Sequence, residues 1–209
     1  VEEGDTGQLL RYPQHPYTKA LVTARQFPCK DLPMRRAGGE VLLHVESLSK
    51  AYKKKEKDSN VISRLDFDVY HHEAIGILGC SGCGKSTLAK CIVGLETPDT
   101  GKILYNGKDI THLRGKKRGW VCKSMQMVFQ DPRASLNPRR TAIQLVQEPL
   151  KYMKIGSKRD WEQKARRYLK QVGITGDVQT RRPPQLSTGQ CQRIAIARAL
   201  VVEPDILIC

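Results

Sequence analysis

One run of nine residues has the types and spacing for chemistry: Gly79-Cys80-Ser81-Gly82-Cys83-Gly84-Lys85-Ser86-Thr87. The pattern Gly-x-x-x-x-Gly-Lys-Ser is that of a loop holding the phosphates of a nucleoside triphosphate. Gly79, Gly82 and Gly84 let the backbone fold into a concavity whose N–H groups point inward. The helix that follows adds its positive end. Lys85 carries a point charge to the β- and γ-phosphates, and the Ser86 hydroxyl is placed to complete the coordination of Mg²⁺. The flanks agree. Residues 74–78 (Ala-Ile-Gly-Ile-Leu) suit a buried strand, and residues 87–93 open a helix with Leu88, Cys91 and Ile92 on its apolar side.

Two other clusters offer weaker chemistry. Cys80 and Cys83 have C-x-x-C spacing, but a metal or disulfide there would compete with the phosphate loop, so they read as thiols filling loop positions. His71-His72 has no further ligand at metal spacing and reads as a solvent-facing turn.

The chain has 209 residues, enough for one full α/β domain or one incomplete larger one. Its 36 Lys and Arg against 21 Asp and Glu leave +15, a balance that alone points to nucleic acid or an anionic membrane surface. The charge sits in local bursts at 53–57, 114–118, 139–140, 166–167 and 181–182. None is interleaved with aromatics as a base-stacking platform would be, so they read as solvated surface. No run of 18 apolar residues and no secretory leader is visible. The seven cysteines are odd in number and scattered, which fits reduced thiols in a cytosolic protein.

Residues 1–39 do not read as a domain start. A turn leads into a short helix over 14–21, and Pro28, Pro33, Gly38 and Gly39 mark a linker. From Glu40 strands are expected at 41–48 and 61–69, joined by a hairpin loop over 53–60, with Leu65, Phe67 and Val69 on one face. Tyr52, at a strand end ahead of the phosphate loop, could stack on a purine. A strand over 102–105 ends in Asn106-Gly107, a hairpin signal. Another strand closes on Gln130. Helices are expected over 141–152 and 161–172, the second burying Ala165, Tyr168, Leu169 and Val172, so 133–183 forms a mainly helical insert. Ser187 is a suitable N-cap for a helix running to Leu200. Residues 206–209 (Ile-Leu-Ile-Cys) form an apolar strand on which the sequence stops, an improbable natural end for a central strand.

Tyr52, the loop 79–86, Gln130 and Leu186-Ser187-Thr188-Gly189-Gln190 occur in an order that resembles the nucleotide-binding subunit of an ATP-binding-cassette transporter. The resemblance covers residues 40–209. It implies an α/β P-loop NTPase fold of the ABC type: an N-terminal antiparallel β subdomain, a mixed core sheet and a helical insert, truncated at the Walker B strand. It also implies ATP and Mg²⁺ as ligands. Tyr52 would stack on adenine, Gly79 to Thr87 would hold the phosphates, and Ser86 and Gln130 would meet the metal. Gln130 and Lys85 would serve catalysis, while Ser187, Gly189 and Gln190 would cap the γ-phosphate held by a second cassette.

The run Met127-Val128-Phe129-Gln130-Asp131-Pro132 with Ser135-Leu136-Asn137-Pro138 looks like the cassettes of dipeptide, oligopeptide and nickel importers. His15-Pro16-Tyr17-Thr18-Lys19-Ala20-Leu21 resembles the C-terminal tail of such a cassette, so 1–39 is expected to be the tail of a preceding cassette plus a linker. The implied partners are a second cassette, fused or separate, transmembrane permease subunits and, indirectly, a solute-binding protein, with no nucleic acid. The implied place is peripheral, on the cytoplasmic face of the plasma membrane. Two departures stand out: Thr188 replaces the usual glycine, and the Asp-Glu expected after Cys209 is absent. The piece as given is therefore expected to bind nucleotide weakly without turning it over. The alternatives are a soluble cassette acting on ribosomes or nucleic acid, and a non-functional cassette fragment.

Overall fold

The structure, a computed structural model, describes residues 5–16, 18, 19, 22, 39–54 and 57–209. It divides into two units, Val1–Gly39 and Glu40–Cys209. In the first, helix α1 (Thr6–Arg11) is started by Asp5, whose carboxylate accepts from the N–H groups of Gly7 at 2.9 Å and Gln8 at 3.3 Å. Pro16, Thr18, Lys19 and Val22 also have helical backbone. The rest of the helix expected over 14–21, and the Pro28–Pro33 part of the linker, lie outside the described residues.

The second unit opens with a long antiparallel pair, β1 (Val41–Lys54) and β2 (Lys57–Tyr70). Residues 58–60, expected in a loop, pair instead with β1, Tyr52 standing opposite Ser59. Charged and polar residues at the hairpin end satisfy their backbone in the ladder as well as a loop would in water. The ladder slips near Ser47 and Arg64, whose φ values of 45° and 43° mark the irregularity. Strand β3 (Thr100–Tyr105) pairs with β1 on its other side, and β4 (Lys108–Asp109) follows through Asn106-Gly107, both with positive φ as a primed turn needs. The order is β2-β1-β3-β4.

One face of this sheet covers α2 (Lys85–Val93), which buries Leu88, Cys91 and Ile92 as its period predicts. Leu43, Val45, Leu48, Ile103, Tyr105 and Ile110 complete this first core with Val121 and Met125. Val121 lies in α3 (Gly119–Ser124), and Met125 opens β5 (Met125–Met127).

The second core is helical. After the short α4 (Pro132–Ser135), α5 (Ala142–Tyr152) starts from a Thr141/Gln144 capping box and buries Leu145, Val146 and Leu150. α6 (Lys158–Gln171) begins three residues ahead of the expected Trp161, because Ser157 and Asp160 cap it, and buries Ala165, Tyr168 and Leu169. α7 (Thr188–Leu200) adds Cys191, Ile194, Ala195 and Ala197.

The core sheet is smaller than expected. Among the described residues it consists of β5 and β6 (Ile206–Ile208), paired in parallel with Met125 opposite Ile206. Residues 74–78 form no strand. Ile75, Ile77 and Leu78 are 44%, 49% and 96% exposed, the reverse of the expected burial. A parallel strand needs a hydrogen-bonding neighbour and cover on both faces, and no described strand pairs with this segment.

Candidate functional site

The loop 79–86 ends, as expected, at a helix N-terminus, with Gly84 as N-cap of α2. Gly82 and Gly84 have φ values of 82° and 100°, where a side chain is strained. At Gly84 there is also no room, since an added Cβ would stand 2.6 Å from the Val61 carbonyl oxygen of β2. The glycines therefore serve both the turn and the close approach to the sheet.

Lys85 folds back over the loop. Its Nζ donates to the carbonyls of Gly79 at 2.7 Å and Cys80 at 2.8 Å, and lies 3.6 Å from the Cys83 sulfur. These are neutral acceptors, so the ammonium keeps its charge available inside the loop. With N–H groups at the α2 start, an ammonium above them and no carboxylate among its hydrogen-bond partners, the loop fits a polyphosphate.

Ser86 and Gln130, the two residues expected at the metal, line one cavity of about 770 Å³ together with Lys90, Gln126, Asp131 and Arg198. Their oxygens and the Asp131 carboxylate are hard donors of the kind Mg²⁺ takes. Gln130 follows β5, whose ladder is extended by the Val128 N–H donating to Ile208 at 2.8 Å. Asp131 is held by capping α4, accepting from the Ala134 N–H at 3.1 Å.

Tyr52 stands on β1 and is 38% exposed. Its hydroxyl donates to Glu96, a bond that raises the phenol above its ordinary range, while a contact with Thr87 of α2 opposes the shift. Lys50 Nζ lies 5.7 Å from the ring centroid. An exposed ring anchored beside α2 presents a flat face for a base.

Ser187 caps α7 reciprocally with Gln190. Its hydroxyl accepts from the Gln190 N–H at 3.2 Å, and its own N–H donates to the Gln190 side chain at 2.9 Å. Ser187, Thr188 and Gly189 are exposed, so the N-terminus of this 13-residue helix faces solvent. Thr188 is the first helical residue and caps nothing itself.

Two arginines were given no role by the sequence pattern. Arg133 Nη2 donates to the Leu186 carbonyl at 2.7 Å, one residue ahead of Ser187. Arg198 Nη1 donates to the Ser135 carbonyl at 2.7 Å, and burial pulls its pKa below the usual arginine value. Together they tie the segment after Gln130 to both ends of α7. Only the spacing between Gln130 and Arg133 hints at this, because the acceptor carbonyls lie more than 50 residues away. Among the described residues no cluster of His, Cys, Asp and Glu could hold a metal by itself, and His71-His72 forms an exposed turn.

A family model described as ABC transporter matches residues 62–209. The oligopeptide transport ATP-binding protein OppF of Haemophilus influenzae is 39% identical over 180 residues, covering 81% of this chain and 54% of that protein. The nickel import ATP-binding protein NikE of Shigella boydii is 39% identical over 172 residues, covering 80% of this chain and 64% of its own length. The chain thus spans between half and two thirds of these relatives. Among solved structures, the dimeric post-hydrolysis state of the ATP-binding cassette MJ0796 bound to ADP and Pi matches with a TM-score of 0.74 and 29% identity, over 79% of this chain and 72% of that one.

Proposed function

The chain belongs to the ABC transporter family and has its α/β cassette fold, and on that premise we propose that it is the ATP-binding part of an importer for di- or oligopeptides or nickel. The observation that carries this reading is the pairing, in one chain, of a lysine-bearing phosphate loop with an exposed helix N-terminus at Ser187. The first suits the chain's own nucleotide and the second a neighbour's. The roles of the relatives, oligopeptide transport and nickel import, favour transport over a soluble cassette acting on ribosomes or nucleic acid.

Lys85 would hold phosphate oxygens, and the loop N–H groups would share their charge. Ser86 and Gln130 would hold Mg²⁺ in the cavity that both of them line, and Tyr52 would take the adenine. Mg·ATP, when bound, supplies a phosphoanhydride whose hydrolysis releases the free energy for transport. Gln130 would orient the water that attacks it. Ser187, Gly189 and Gln190 would close over the nucleotide of a second cassette, and closure would be passed to permease subunits through the Gln130 segment and the helical insert. No described helix is long and apolar enough to cross a membrane, so contact with the bilayer would run through those partners.

Titration with a fluorescent ATP analogue and Mg²⁺ tests the reading. A hydrogen bond to a charged group contributes about 1.5–3 kcal/mol, so Lys85→Ala should weaken binding roughly ten- to a hundredfold. An unchanged affinity would sink the assignment of the loop.

A further inference from the structure

The two thiols of the phosphate loop have a geometry that nucleotide binding alone does not require. Cys80 and Cys83 are both exposed and unbridged. The Cys83 N–H donates to the Cys80 carbonyl at 3.3 Å, closing a four-residue turn. Gly82 occupies its third position with φ of 82°, the glycine place of a type II turn. Such a turn brings its end Cα atoms within about 7 Å, against a disulfide range of about 4.4–6.8 Å. Cys83 is also turned inward: a Cβ on Gly79 would stand 2.5 Å from its sulfur, and the Lys85 ammonium lies 3.6 Å away.

We propose that Cys80 and Cys83 form a dithiol site that closes to a disulfide and thereby shuts the phosphate loop, an inference resting on the nucleotide reading above. The oxidant is a small-molecule disulfide such as oxidised glutathione. The Cys83 thiol gives up its proton and its sulfur attacks one sulfur of the oxidant, breaking that S–S bond and releasing one glutathione thiolate. The Cys80 sulfur, also deprotonated, then attacks Cys83 and expels the second glutathione. The cysteines lose two electrons and two protons, and the oxidant takes up both as two thiols. Lys85 stands where it neutralises charge on the sulfur during the exchange.

A bridge across the turn locks the bond that the Cys83 N–H already makes to the Cys80 carbonyl, so the turn cannot open to offer that N–H to phosphate. By linkage, a nucleotide that needs the open loop must oppose the disulfide by the same factor.

The full chain is equilibrated in glutathione buffers with and without Mg·ATP, quenched in acid and alkylated. Trypsin then releases peptide 65–85, which contains these two cysteines and no other. In oxidising buffer this peptide should be lighter by two hydrogens than its reduced form, reversibly with dithiothreitol. The oxidised chain should bind a fluorescent ATP analogue about tenfold more weakly, and Mg·ATP should disfavour oxidation by that factor. A peptide carrying only glutathione adducts or alkylated thiols overturns the proposal, as does equal affinity of the two forms. A reduced chain that fails to bind the analogue overturns the nucleotide reading instead, and the peptide mass still decides the disulfide.

Discussion

At the scale of single residues, the capping pair at the start of α7 is the most local device in the molecule. Ser187 and Gln190 satisfy two orphan N–H groups of the helix. Ser187→Ala should cost about 1 kcal/mol of stability in a urea melt, the ordinary value of a lost cap. In an assembled transporter it should lower the hydrolysis rate while the chain's own loop keeps its nucleotide affinity. A tenfold loss of that affinity would place Ser187 in the wrong half of the site. The cap was legible because Ser-x-x-Gln acts over three residues of chain. The phosphate loop was legible for the same reason, every glycine and the lysine falling within eight positions. The inward turn of Cys83 against Gly79 was not, since spacing says nothing about which way a thiol points.

At the scale of elements, α2 is held at both ends. Its N-terminus opens the phosphate loop, and its C-terminus is closed by Arg118. That guanidinium donates to Ile92 at 2.9 Å, Val93 at 3.2 Å and, across the loop, Ile110 at 2.8 Å. Arg118 is buried, and desolvation pulls its pKa below the usual arginine value. Gly94 completes the arrangement at φ of 71°, because any Cβ there would collide with the guanidinium. Arg118→Ala leaves buried carbonyls unpaired and should cost about 2–3 kcal/mol in chemical denaturation. A loss below roughly 0.5 kcal/mol, the ordinary surface value, would return Arg118 to the solvated class. In the sequence it is one more cation in a basic burst, and nothing local separates it from Lys116 or Lys117. Residues 74–78 show the same limit from the other side. Their apolar run is what a buried strand needs, yet burial comes from neighbours, and Leu78 stands almost fully exposed.

At the scale of the whole molecule, those exposed side chains lie on a segment that pairs with no described strand, a template for pairing with another chain. The net charge of +15 works against such contact, and salt above about 0.5 M would screen it within a few ångströms. Sedimentation velocity in high salt should therefore show self-association that Leu78→Lys reduces. Equal behaviour of the two chains would mean that the segment is shielded.

The two cores have a mechanical consequence. Among the described residues no buried apolar residue belongs to both: Met125 sits in the sheet core, and Val128, three positions on, packs against the helices. The chain is creased where its two oily interiors fail to merge, and Gln130 lies just past the fold line. A rotation of the helices about that line, of the kind the proposed closure calls for, would open no apolar interior shared by the two cores.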